Sequence, residues 1–250
     1  MSGHSKWATI KRKKASIDAK RGKMFTQTTK ELTIAAKQGG GDPAGNPRLR
    51  LAVEKARANN MPADNIKRAI MKGTGELPGV TYEEVTYEAY APGGVAMLIE
   101  TVTDNKNRTV SELRHLLERN SGKLATAGSV AWSFHKKGVI QISKANYSED
   151  DILNIILDAG ADDMKVEDEF YEIKTSPETF EPVKKALEAK NIKTESVELE
   201  MIPENLVKVE GKEAEQVLKL MEALEDHDDV QNVYPNFDID EKVMANFNAQ

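Results

Sequence analysis

Apolar positions recur at helical spacing in the first third of the chain and at strand spacing after it. Ile17, Phe25, Thr28, Leu32 and Ala35 fall near one stripe, which predicts a helix from an N-cap at Ser16 to about Lys37, weakened at Gly22. The stretch QGGGDPAGNPRLR stops it, because its glycines, Pro43 and Pro47 cannot continue a helix. Asn46 then caps a second helix, with Pro47 in its first turn and Leu49, Ala52, Val53 and Ala56 on its inner face. A third helix follows Met61-Pro62, with Ile66, Ala69 and Ile70 inside and Lys67, Arg68 and Lys72 outside; Gly73 ends it. Residues 1–78 thus read as a small helical domain closed by the linker GTGELPG.

Beyond Gly79 a strand–helix–strand layout recurs four times, over VAMLIETV…GSVAWSF, VIQISKAN…EFYEI, YEIKTSPE…ELEMIP and LVKVEGKE…NFDI. Two such units close a split β-α-β sheet with both helices on one face, the ferredoxin-like arrangement. The predicted fold class is therefore α+β: the helical domain followed by two ferredoxin-like α/β domains, one inserted in the other. Residues 137–204 hold two consecutive units and form the insert; 79–136 and 205–240 form the discontinuous domain around it. Val197, Leu199 and Met201 alternate with Glu198 and Glu200, and Val207 and Val209 with Lys208 and Glu210. The open sheet faces are accordingly expected to be acidic, unlike the aromatic, basic face of an RNA-recognition sheet. Trp132 and Phe134 share one face of SVAWSF and are expected in the core.

Charge changes this picture. The chain carries a formal −6, yet residues 1–75 hold 17 Lys and Arg against 5 Asp and Glu, a net of +12, which leaves −18 for the remainder. Such a division suggests a polyanion-binding module joined to acidic ones. Within it, Lys6, Lys11, Arg12, Lys13, Lys14, Lys20, Arg21 and Lys23 form a basic arm able to neutralise phosphates irrespective of base sequence. Trp7 in that arm could stack on a base or anchor the arm on its own domain.

Other chemistries find little support. With 39% hydrophobic and 30% charged residues the chain is expected to fold, and its longest fully apolar run, Val95 to Ile99, is far too short for a membrane span. The absence of cysteine excludes disulfides and thiolate sites and fits a reducing compartment. The acid-poor start is Lys-rich and lacks the Ser content and amphipathic period of a transit peptide, so a cytoplasmic location is expected. Gly73-x-Gly75 runs into Pro78 rather than a third glycine, and no phosphate-loop motif occurs. His4, His115, His135 and His227 show no ligand spacing, and the acidic run EDHDD (225–229) lacks the glycine turn of a calcium loop. No enzyme activity, cofactor, metal, membrane or small-molecule substrate is expected.

The segments GHSKWATIKRKK, KRGKMFT, GGGDPAGNPRLRLAVEKARANNMP, TDNKNRTVSELRHLL and GSVAWSF closely resemble the YebC/PmpR family, and the similarity extends to about Ile239. The resemblance implies three domains with a helical first one, and no catalytic residues. Family members carry the label of DNA-binding transcriptional regulators; mitochondrial relatives activate translation of cytochrome c oxidase, and bacterial ones are tied to the ribosome and to relief of stalling at proline-rich stretches. By motif match the resemblance puts the binding positions at His4, Lys6, Trp7, Lys11, Lys13, Lys14, Arg21, Lys23, Arg48 and Arg50.

The two readings make different physical demands. The helix pair 47–59 and 62–72 could mimic helix-turn-helix, with Asp64, Asn65, Lys67 and Arg68 toward a DNA groove. No dimerisation helix is apparent, however, and acidic domains repel flanking duplex. A basic arm with glycine loops suits folded RNA, including ribosomal RNA, where shape and phosphate contacts dominate. A third class, a protein-binding adaptor, would use the acidic domains and leave the arm idle.

Overall fold

The computed structural model describes Trp7 and residues 18–249. Three helices open it: α1 (Asp18–Gly39), α2 (Pro47–Ala58) and α3 (Ala63–Gly73). Helix α1 runs unbroken through Gly22, while the predicted cap at Ser16 lies outside the described residues. Asn46 caps α2 as expected, its side chain accepting from the Leu49 N–H at 3.1 Å while its amide donates to Ala35 O and Gly40 O. One side chain thereby closes the end of α1 onto the start of α2. The predicted inner faces meet in one core of Leu32, Ala35, Leu49, Ala52, Val53, Ala56, Ile66 and Ala69. Gly73 does more than end α3: a Cβ there would lie 2.3 Å from Thr33 O of α1, so its lack of a side chain sets how closely the helices approach.

The first sheet contains β1 (Glu83–Tyr90), β2 (Ala96–Thr103), β3 (Lys123–Leu124) and β9 (Val230–Pro235), in the order β3-β1-β2-β9. Helices α4 (Lys106–Arg119) and α7 (Gly211–Glu225) supply Leu113, Leu117, Val217, Met221 and Leu224 to the core on one face. The second sheet contains β4 (Phe134–Ser143), β5 (Asp163–Val166), β6 (Phe170–Thr175) and β7 (Ser196–Pro203), in the order β5-β6-β4-β7. Its helices α5 (Glu149–Asp158) and α6 (Phe180–Ala189) pack on Ile140, Ile142 and Ile173. This is the β-α-β-β-α-β order of a ferredoxin-like unit.

The first sheet reaches the same spatial order by a different path. Its β1 comes ahead of the first repeated unit, joined to β2 by a tight turn in which Gly93 and Gly94 adopt positive φ. The position expected for 207–209 is thus already filled. Val207–Lys208 (β8) instead pairs in parallel with Phe237–Asp238 (β10) as a separate two-stranded ribbon, and α8 (Glu241–Ala249) follows.

Two further expectations fail. The acidic faces are not open: Glu88, Glu172 and Glu200 are buried, and the face of β2 carrying Leu98 packs with Tyr234 on Phe134 and Met201. The strand expected through SVAWSF is also absent, since residues 131–133 form a 3-10 turn and Phe134 opens β4. Glu88 is the cause, because its carboxylate takes the N–H groups of Gly128, Val130 and Ala131 at 2.5, 2.6 and 2.9 Å, removing donors a strand needs. Among the described residues, no helix is long and apolar enough to cross a membrane.

Candidate nucleic-acid interface

The residues singled out from sequence separate into four groups. His4, Lys6, Lys11, Arg12, Lys13 and Lys14 lie outside the described residues, and the side chains of Lys20 and Arg21 do as well, although their backbone belongs to α1.

Trp7 forms the second group, and its reading as a stacking platform needs correction. The side chain is 1% exposed and packs in the first α/β core with a tilted ring contact to Phe247, its Nε1–H donating to Glu225 Oε1 at 2.7 Å. Of the two roles open to it, the structure places it as an anchor. Burying an indole with its N–H satisfied removes a large apolar surface from water, whereas stacking needs that surface free.

Arg48 and Arg50 form the third group, and both are committed internally. The Arg48 guanidinium binds both oxygens of Glu31 at 2.7 and 2.9 Å, Gln38 at 2.7 Å, and Glu84 of β1. Although burial opposes its charge, the bonds and fields of Glu31 and Glu84 raise its pKa above the ordinary arginine value. Arg50 donates to Pro43 O at 3.1 Å and pairs with Glu181 of α6 at 3.2 Å. These arginines are engaged in ion pairs that join domains, with 37% of the Arg48 side chain and 29% of the Arg50 side chain still exposed. Lys23 is intermediate, half-buried and 3.5 Å from Asp226.

Lys67 and Arg68 remain. Both project from the outer face of α3 and, among the described residues, neither has a carboxylate within ion-pair distance. Arg57 and Lys72 share that condition, and Arg57 was not singled out from sequence. Its place one residue past the buried Ala56, hence off the inner face of α2, was the available signal. Arg57 and Lys67 also line a groove of about 420 Å³ between α2 and α3, floored by Val53, Met61, Ile66 and Ile70. The described part of the helical domain therefore keeps these four exposed cations, two of which, Arg57 and Lys67, meet at this groove.

Trp132 was misplaced in the opposite sense from Trp7. It is 67% exposed, while Phe134 two residues on is 4% exposed and buried as expected.

One cluster has metal-like composition. Ligand atoms of Glu112, His227 and Asp229 lie within 4.8 Å of one another. Yet Lys30 occupies Asp229 Oδ1 at 2.6 Å, and Arg108 and Thr109 occupy Oδ2 at 2.9 and 2.7 Å. Two cations on one carboxylate satisfy its charge and repel a third, so the cluster serves as an ion-pair junction.

Comparison with known proteins agrees over nearly the whole chain. Residues 5–76 match the model described as the TACO1/YebC protein N-terminal domain, and residues 82–237 that of the TACO1/YebC second and third domain. Proteins named probable transcriptional regulatory protein are similar from Chlorobaculum parvum, 58% identical with 98% of each chain covered, and from Natranaerobius thermophilus, 56% identical with 98% and 99% covered. The fold is also similar to the crystal structure of a conserved hypothetical protein from Aquifex aeolicus, with a TM-score of 0.82 and 42% identity over 90% of this chain and 93% of that one.

Proposed function

The chain belongs to the TACO1/YebC family, and from that premise we propose that it is a non-enzymatic, cytoplasmic regulator of gene expression that acts by binding nucleic acid through its N-terminal domain. The relatives' names support the regulatory part. The observation that carries the binding part is the charge division, +12 over residues 1–75 against −18 beyond. Exposed Arg57, Lys67, Arg68 and Lys72 supply a face on which phosphates can replace counterions. The test is titration of the full chain with labelled duplex DNA and with structured RNA across a salt series. Binding whose logarithm falls linearly with log salt supports the reading; no binding to either at low salt defeats it.

A ribosomal or other RNA target is the second reading, favoured by how α2 is seated. Glu54 pairs with Lys184 at 2.6 Å, Arg50 with Glu181, and Lys55 with Glu198 at 3.4 Å, so the helix pair is backed by the acidic insert. That neighbour disfavours a long duplex laid across both and tolerates a compact RNA fold. Sedimentation with ribosomal particles at low salt, with altered codon-resolved occupancy when the protein is missing, is the expected result for translation. Occupancy of discrete promoters without ribosome association is the expected result for transcription.

A further inference from the structure

Trp132 is the most exposed large hydrophobic side chain of the described residues, and the fold works to hold it so. The ring stands on the 3-10 turn at residues 131–133, outside every core cluster. Beneath it Glu88, 8% exposed, takes the backbone N–H groups of Gly128, Val130 and Ala131, and Ser133 Oγ donates to Val130 O at 2.8 Å. Burying a carboxylate is costly unless hydrogen bonds compensate, and here all of that compensation is spent on fixing one surface turn. The indole itself is pinned, with Nε1–H donating to Ser129 O at 3.1 Å.

We propose that Trp132 is a base-stacking residue, receiving an unpaired nucleobase of single-stranded RNA on its exposed face. This rests on the nucleic-acid reading and extends it into the acidic part of the chain. Three observations select the occupant. The Nε1–H is already used within the turn, so the ring offers a partner only its π face and edges. A protein pocket that captures a tryptophan ordinarily takes up that polar handle as well, whereas a base needs only the face. Among the described residues no aromatic ring or cation stacks on the indole, so the face is open. Finally, the ring is followed by His135, Lys136 and Lys137. His135 pairs with Glu204 and Lys137 with Asp162, while exposed Lys136 makes no contact ion pair among the described residues and meets Glu84 only through its field, so its ammonium can still take a phosphate. A ring fixed before binding loses little freedom on contact, which favours stacking on any exposed base.

The chain has two tryptophans, one buried and one exposed, so iodide, which reaches only exposed rings, selects the Trp132 part of the intrinsic emission. The experiment titrates the full protein with a twelve-nucleotide oligoadenylate and with a duplex of matched length, following emission and iodide quenching. Expected are quenched emission and loss of iodide access with the single strand, and much less change with the duplex. Trp132→Ala should weaken oligoadenylate binding about 5- to 150-fold, and Trp132→Phe should restore most of it. Neither should move the melting temperature, since the ring lies outside the cores. If wild type binds with a salt-dependent affinity but Trp132 stays accessible to iodide and Trp132→Ala binds equally well, the stacking role is wrong and the N-terminal reading stands. Loss of a protein contact in Trp132→Ala with unchanged RNA affinity likewise overturns it, in favour of a protein pocket. If wild type binds neither probe at low salt, both readings fall together.

Discussion

The Lys30 ammonium of α1 lies 2.6 Å from Asp229 Oδ1, across 199 positions of sequence, and both side chains are under a tenth exposed. The same carboxylate accepts from Arg108 and Thr109 of α4 and from Thr103 of β2. One acid thus fastens the helical domain to the sheet whose last strand begins at Val230. Removing Asp229 takes the carboxylate from both the buried Lys30 ammonium and Arg108, whereas removing Lys30 leaves Asp229 paired with Arg108 alone.

Asp229→Asn is expected to destabilise the fold by about 3 kcal/mol, at the low end for a buried pair because the Arg108 side opens to solvent. Burial opposes ionisation of Asp229, but hydrogen bonds from Lys30, Arg108 and Thr109, with the Lys30 charge, hold its carboxyl well below the ordinary range. A depressed folded pKa contributes stability that is full above the unfolded value of about 3.9 and is lost as pH falls toward the folded one. Urea denaturation should therefore show the largest gap between wild type and Asp229→Asn above about pH 5 and a shrinking gap below pH 4. A gap independent of pH would mean the carboxylate's charge is not what holds the junction.

Trp7→Ala should lower stability by roughly 3–5 kcal/mol through the cavity it leaves and the loss of its hydrogen bond to Glu225. Thermal melting reads this directly. A change under a degree would place the indole outside the core in solution and reopen its role as a contact residue.

Lys67→Gln with Arg68→Gln should leave melting unchanged, because both side chains are exposed and unpaired among the described residues. The pair should weaken nucleic-acid binding and reduce the log–log salt slope by up to about 1.8 on duplex DNA or about 1.4 on single strands. Arg48→Gln should do the reverse: melting falls while the slope holds.

Glu88→Gln should cost about 1.5–3 kcal/mol, the range for hydrogen bonds to a charged acceptor. Burial disfavours ionised Glu88, yet the N–H groups of Val130, Gly128 and Ala131 outweigh it and lower its pKa. Because the turn at 128–131 loosens, the steady-state anisotropy of Trp132 should drop in the variant. Unchanged anisotropy would show that the turn holds its shape without the carboxylate.

Helical elements were legible in the sequence because local rules decide them. Asn46, Pro47 and the stripe of Leu49, Ala52, Val53 and Ala56 specify α2 without reference to the rest of the chain. The α+β class followed equally from periodicity. The two tryptophans were not legible, since each is decided by a partner far away. Trp7 is buried by Glu225 and Phe247, and Trp132 is kept out of the core because Glu88, forty-odd positions earlier, takes the backbone donors around it. Arg48 and Arg50 misled for the same reason: a basic residue in a basic segment looks free until Glu84 and Glu181 arrive from other domains. Charge counts show how many cations a segment has and not which are already spoken for.

The permuted strand order has a consequence for synthesis. Strand β2 is nearly all buried, and on one side its hydrogen-bonding partner is β9, which the chain reaches only at Val230. The second sheet is complete once Pro203 has been made, so it can form while β2 still offers a bare edge. Translating residues 204–235 takes on the order of 2–6 s. Through that interval an apolar edge of the kind that recruits foreign strands stands open on the nascent chain, and slow codons between α7 and β9 should raise aggregation of the newborn protein without altering the finished molecule.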